Sequence, residues 1–239
     1  MEIKGITKSV FDHLRFQVIT GELKPGQRLN EIKLASELGI SRGPLREALR
    51  LLENEHLIVN YARRGTFVTK LSKEDLISIY QAREMIECYA LDLIRKNKTR
   101  DFLEKASEKI LTKNPPPTPA STPEEKMNFI DINNSFHFAL VETTHNPWII
   151  RSYQTLGSTM ARCQFMFVLN RKIADAATKE HQRLLKLIEM GDYEGGKKLI
   201  KEHIKLFLDH LLSQTDSKIE AARMPMNDIS NGHFTRTGR

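Results

Sequence analysis

Cysteine is nearly missing from this chain of 239 residues: Cys88 and Cys163 are its only two, and no Cys-x-x-Cys spacing occurs. Two distant thiols cannot form the stapled framework of a small secreted domain, so the expected state is a reduced, cytoplasmic protein with both thiols buried. Long apolar runs are missing as well. No stretch approaches the roughly 18–20 apolar residues that a membrane span needs, and Met1-Glu2-Ile3-Lys4-Gly5 opens no signal peptide. No internal repeat is visible. Proline gathers in one place, Asn114-Pro115-Pro116-Pro117-Thr118-Pro119-Ala120-Ser121, which suits neither helix nor sheet and reads as an exposed linker.

What is present is ordinary in bulk and informative in order. A hydrophobic share of 40% and a charged share of 28% suit a soluble globular chain long enough for two modest domains or one large one. The 37 basic residues outnumber the 30 acidic ones, for a formal charge of +7. That excess suits a nucleic-acid partner without demanding one.

Three periods divide the chain. Residues 1–70 read as three helices and a hairpin. Ile6, Val10, Leu14 and Val18 recur four apart, and Gly21 and Pro25 stop the stripe. A short helix over 30–38 ends at Gly39. A third starts with Ser41 as its cap and Pro44 in the first turn, and runs to about Asn54. Leu57-Ile58-Val59 and Thr66-Phe67-Val68-Thr69 then flank Ala62-Arg63-Arg64-Gly65 as strands around a tight tip. Residues 72–213 are helical almost throughout, an antiparallel bundle of about six helices: Ser72 to about Lys98, roughly 100–112, Thr122 onward with a capping box, Asn146-Pro147 to about Leu169, and two helices over 172–190 and 192–213. Residues 214–239 read as a loose polar tail. The expected fold is mainly α.

The densest signal lies between Leu34 and Arg50. Two short helices about a glycine turn make a helix-turn-helix, whose second helix can enter a major groove. Arg42, Arg46 and Arg50 stand four apart on that helix and share one face, while Leu45, Leu49 and Leu52 take another. A guanidinium can bond guanine bidentately or clamp a phosphate, and Ser41 at the helix start can offer its hydroxyl and free amides to a phosphate. Arg63, Arg64 and Gly65 at the hairpin tip suit a wing lying along the duplex. A merely solvated arginine face would show the same spacing; the conjunction of turn, arginine face and wing favours DNA.

These residues resemble the GntR family of bacterial regulators: Gly21-Glu22-Leu23-Lys24-Pro25-Gly26-Gln27-Arg28-Leu29, the run Gly39-Ile40-Ser41-Arg42-Gly43-Pro44-Leu45-Arg46-Glu47-Ala48-Leu49, and Arg64-Gly65-Thr66-Phe67-Val68. The resemblance implies a dimeric winged helix-turn-helix regulator acting on an inverted-repeat operator in double-stranded DNA. It implies DNA contacts from Ser41, Arg42, Arg46 and the wing Gly65, and the residues themselves add Lys33, Arg50, Arg64 and Thr66 as expected contacts. Some members carry an arginine where this chain has Ile32, so a base contact there is in question, with Lys33 beside it to reach a phosphate.

Eight histidines occur. His13, His56, His145, His210 and His233 read as surface or partly packed. His137 lies four residues after Asn133, on the same helix face. His181 and His203 flank Gly191-Asp192 almost symmetrically; at about 1.5 Å per residue each sits roughly 16 Å from the turn, so two antiparallel helices would bring them level. Three imidazoles and an oxygen suit Zn²⁺, Ni²⁺ or a similar ion, though three separated histidines are also common core residues.

Residues 72–213 in turn resemble the FadR-type C-terminal domain of the same family, through Arg83-Glu84-Met85-Ile86-Glu87, Phe136-His137, Asn146-Pro147, Glu180-His181 and His203-Ile204. That resemblance implies a divalent transition metal, Zn or Ni, on Asn133, His137, His181 and His203, with Asn133 replacing the usual aspartate. It also implies a small organic acid as effector, met by Arg83, whose other reading is a salt bridge to Glu87. Two alternatives stand beside a regulator of this type. One is a metal-dependent hydrolase with Glu180 as its base. The other is a structural metal, or a long acyl effector lined by Met160, Phe165, Met166 and Phe167.

Overall fold

A computed structural model of the chain describes residues 2–97, 102, 103, 106, 118, 120–167 and 171–222. The N-terminal unit comprises α1 (Glu2–Thr20), β1 (Arg28–Leu29), α2 (Glu31–Glu37), α3 (Arg42–Asn54), β2 (Ile58–Tyr61) and β3 (Gly65–Val68). Five further helices follow: α4 (Lys73–Asn97), α5 (Pro123–Glu142), α6 (Pro147–Phe167), α7 (Arg171–Glu189) and α8 (Tyr193–Ala222).

The stripe on α1 forms as its period dictates. Val10, Leu14 and Val18 are buried against Leu45, Ala48, Leu49 and Leu52 of α3, and Leu57, Ile58 and Val68 close the same core from the sheet. Asn30 caps α2 by accepting from the amides of Ile32 and Lys33. The hairpin is flanked by a third strand that the sequence did not reveal. Arg28–Leu29 pairs antiparallel with β3, giving the order β1-β3-β2, and two residues are too few to show alternation. Gly65 sits at φ +99° at the tip, a conformation other residues adopt only with strain.

Beyond Ser72 the caps hold as read. Ser72 and Asp75 bond reciprocally, and Thr122 with Glu125 forms a complete capping box. Asn146 accepts from the amides of Trp148 and Ile149 at the start of α6. The main core joins Leu76, Tyr80, Leu91 and Ile94 of α4 to Phe136 and Leu140 of α5, Leu184 and Ile188 of α7, and Ile200 and Ile204 of α8. The expected helix over 100–112 and the proline-rich linker fall mostly outside the described residues; Phe102 and Ala106 are buried in this core.

The expected tail from Gln214 is corrected. α8 continues to Ala222, because Asp216-Ser217-Lys218-Ile219-Glu220-Ala221-Ala222 contains helix formers without an apolar stripe for a sequence reading to detect. A smaller cluster of Ile19, Met127, Ile130 and Ala161, with Phe16 and Phe165 against it, joins α1 to α5 and α6 and so seats the N-terminal unit on the bundle.

Candidate DNA-reading face and metal centre

The apolar face of α3 is held down by Leu45, Ala48, Leu49 and Leu52, which forces Arg42, Arg46 and Arg50 outward. Their side chains are 55%, 60% and 73% exposed. Glu31 on α2 holds two of them, with Oε2 at 2.9 Å from Arg46 Nε and 3.7 Å from Arg42 Nη2. An exposed pair of this kind is worth about 0–1 kcal/mol, so a phosphate or base edge can replace it at small cost.

Ser41 occupies the cap position of α3, but its side chain makes no capping bond, which leaves the exposed hydroxyl free for a ligand. Lys33 is exposed and pairs with Glu37 at 3.6 Å. Arg63 and Arg64 are exposed at the hairpin tip beside Gly65. Thr66 is the exception. It is buried in the central strand between Leu29 and Asn60, so its side chain is not offered to a duplex.

In the bundle, α5 carries His137, α7 carries His181 and α8 carries His203. Gly191, at φ +77°, lets α7 and α8 fold back on each other, and the two histidines meet with ring centroids 5.2 Å apart. His137 joins them from α5, its Nε2 lying 3.0 Å from His181 Nε2. One nitrogen from each ring lies within 4.8 Å of the other two, and all three residues are buried. Asn133 is half-buried one turn before His137 on α5.

Two carboxylates orient these rings, and neither role was visible in sequence. Glu87 Oε2 lies 2.9 Å from His137 Nδ1, and Glu180 Oε2 lies 2.6 Å from His203 Nδ1. A carboxylate at Nδ1 fixes the proton there and turns the Nε2 lone pair to the opposite side. Glu180, the base named for a hydrolase, is therefore engaged with His203.

Glu87 is fully buried and also accepts from Arg83 Nε at 2.7 Å and from the Tyr153 hydroxyl at 2.6 Å. Burial alone would raise its pKa, but the Arg83 charge, and then His137, hold it well below the usual carboxylate range. Burial and the Arg83 charge push His137 down to about 4, against the pull of Glu87. Burial, with the neighbouring imidazoles, likewise carries His181 well below the ordinary value. Both rings are thus neutral near pH 7, the state a metal requires.

Of the two readings of Arg83, the structure shows the salt bridge. The arginine is the partner of Glu87, as its spacing allowed, yet its Nη2 is buried without a hydrogen-bond partner. A buried guanidinium N–H aimed at nothing costs free energy unless something joins it. The chemistry of the donor set suits a borderline divalent ion: three imidazoles, two carboxylates behind them and, beyond Glu87, a guanidinium with one unpaired N–H group.

The acyl-tunnel alternative loses its lining. Met160 packs beside Ile86, Val141 and Tyr153, Met166 against the main core, and Phe165 at the junction with α1. The Phe167 side chain lies outside the described residues.

Residues 6–68 match the profile of the bacterial regulatory proteins of the gntR family, and residues 78–206 match the FCD domain. The chain belongs to the GntR family of transcription regulators. The HTH-type transcriptional regulator YdhC of Bacillus subtilis (strain 168) is 28% identical over 201 residues, covering 84% of this chain and 88% of that protein. A probable D-xylose utilization operon transcriptional repressor of Paenarthrobacter nicotinovorans is 24% identical over 220 residues, covering 91% and 95%. Among solved structures, E. coli McbR/YncC superposes with a TM-score of 0.67 at 24% identity over 87% of this chain and 98% of that one, a likeness of fold. No helix among the described residues is long and apolar enough to cross a membrane.

Proposed function

We propose that this GntR-family chain is a ligand-controlled repressor working as a homodimer. Residues 1–70 serve as its DNA-binding head and residues 72–213 as its sensor. The observation that carries the sensor reading is the meeting of His137, His181 and His203 around one point, beside a guanidinium with an unpaired buried N–H. A divalent transition metal, Zn²⁺ or Ni²⁺, would be held by the three imidazoles with Asn133 supplying an oxygen. An amide in that place ligates without adding charge, which leaves the site more positive than an aspartate would. A small organic acid is then favoured on two counts, by the ion and by Arg83.

On the head, Arg42, Arg46 and Arg50 would face the major groove, and Ser41 and Lys33 the backbone. Arg64 and Gly65 would follow the duplex as a wing. Exposed apolar side chains on the bundle, Met85 and Tyr89 of α4 and Leu206 of α8, support a second copy docking there, and two heads read an inverted repeat. Two named relatives, the probable D-xylose utilization repressor and a gluconate operon repressor of Bacillus licheniformis, favour repression.

The test is fluorescence anisotropy on DNA from the promoter of the chain's own gene. The zinc-loaded protein is titrated alone and with a panel of small hydroxy, dicarboxylic and sugar acids. One chemical class is expected to shift operator Kd by about 5–150-fold, the usual range of allosteric coupling. Arg83→Met should lose that response, whatever shift in ligand-free operator affinity follows from leaving Glu87 without its buried partner. Operator binding that no acid alters would remove the sensor role.

A further inference from the structure

The buried cluster of Glu87 and the three histidines, which is the pocket of the proposed sensor, and the DNA-binding unit lie at opposite faces of one helix. Tyr153, Ser158 and Arg162 all sit on α6, within about 14 Å along its axis at about 1.5 Å per residue. Tyr153 lies about 140° around the helix from Ser158 at about 100° per residue, whereas Ser158 and Arg162, four apart, share a face. The Tyr153 hydroxyl donates to Glu87, the carboxylate that also holds His137 and Arg83.

On the other face the Ser158 hydroxyl accepts from Arg15 Nε of α1 at 2.7 Å and donates to Glu55 Oε2, just past the end of α3, at 2.5 Å. Arg162 donates from Nη1 to the Thr69 hydroxyl at 2.9 Å and from Nη2 to the Thr69 carbonyl at 2.8 Å, directly after the wing strand.

Arg162 is costly where it stands. It is 1% exposed, its partners named here are neutral oxygens, and its Nε has no hydrogen-bond partner. A methionine of similar bulk would pack the same place without desolvating a charge, so stability alone does not account for it. Nor is the junction filled. A groove of about 600 Å³ opens between α1, α3 and α6, with Phe11, Leu51 and Gln154 among its lining residues, so the head has room to shift on its bonds to Ser158 and Arg162.

We propose that α6 is the element through which the pocket sets the position of the DNA-binding head. Tyr153 is its pocket end, and Ser158 and Arg162 are its head end. Any change that moves Glu87, whether at His137 or Arg83, moves the tyrosine hydroxyl and the helix that bears it. The same helix then carries Thr69, Glu55 and Arg15 along. The device uses the pocket of the proposed sensor, but its wiring can be tested without that reading.

The experiment is hydrogen–deuterium exchange of the full chain, read on peptides from α1 and from residues 55–69. In metal-free protein, Tyr153→Phe removes one hydroxyl on the pocket side and should raise exchange in those distant peptides about fivefold, the effect of a coupling near 1 kcal/mol. Arg162→Met should raise it similarly, and adding Tyr153→Phe to Arg162→Met should change little more. Independent destabilisations would instead add. If Arg162→Met fails to fold, Ser158→Ala completes the cycle. Adding ZnCl₂ should alter head exchange in the wild type and leave Arg162→Met unaffected. A Tyr153→Phe effect confined to α4 and α6, or strict additivity in the double variant, overturns the proposal. A failure to bind zinc in calorimetry would sink the metal reading, while the metal-free cycle still decides the role of α6.

Discussion

At Glu87 a single carboxylate accepts from an arginine, a histidine and a tyrosine, with no exposure to water. Its neutral replacement Glu87→Gln should weaken zinc binding by about 10–100-fold, the usual loss when a ligand histidine loses its orienting partner. Competition titration against a chromophoric chelator measures this; unchanged affinity would mean that His137 needs no anchor. The imidazoles also set a pH dependence. In metal-free protein His137 titrates near 4 when folded and near its ordinary 6.5 when unfolded, and His181 is shifted the same way. Between those values the unfolded chain binds more protons, so the stability these rings contribute is complete above about 6.5 and is lost as pH falls towards 4. Urea midpoints from pH 7.5 to 4.5 should decline accordingly, and His137→Phe should flatten part of the slope.

Among the elements, the recognition helix and the wing were the most legible, because their signals are local. A glycine turn, an arginine every fourth residue and a proline in the first turn act within one helix, and the structure places the three arginines outward as that period requires. In anisotropy titrations Arg42→Ala or Arg46→Ala should each weaken specific operator binding by about 1–3 kcal/mol. Glu31→Gln, which frees both guanidiniums, should tighten it modestly; a loss of affinity in that variant would show that Glu31 orients the arginines rather than competing for them. The histidines of α7 and α8 were legible for a different reason. Equal distances from one turn bring two residues level whatever surrounds them. Strand β1, the buried side of Thr66 and the extension of α8 were not legible, since each depends on a neighbour supplied by the fold.

For the molecule as a whole, the sequence disclosed which residues meet within an element or across one turn, and little of what joins distant elements. Glu87 was visible only as a partner for Arg83, four residues away; its bonds to His137 and Tyr153 span 50 and 66 residues. The same holds for the bonds of α6 to α1, Glu55 and Thr69, which turn two adjacent units into one connected body. Fold class and reading head are thus properties of short range. The meeting of His137, His181 and His203 with Glu87 and Tyr153 is a property of packing.

Metal content tests the central claim most directly: that His137, His181 and His203 form a binding centre rather than a packed core. Elemental analysis of protein purified without chelator or metal-affinity resin, followed by zinc titration of the stripped form, should find a stoichiometric divalent transition ion. His137→Ala and His203→Ala should lose it. A wild-type protein that carries no such ion and takes up none on titration, while remaining folded, would contradict the account.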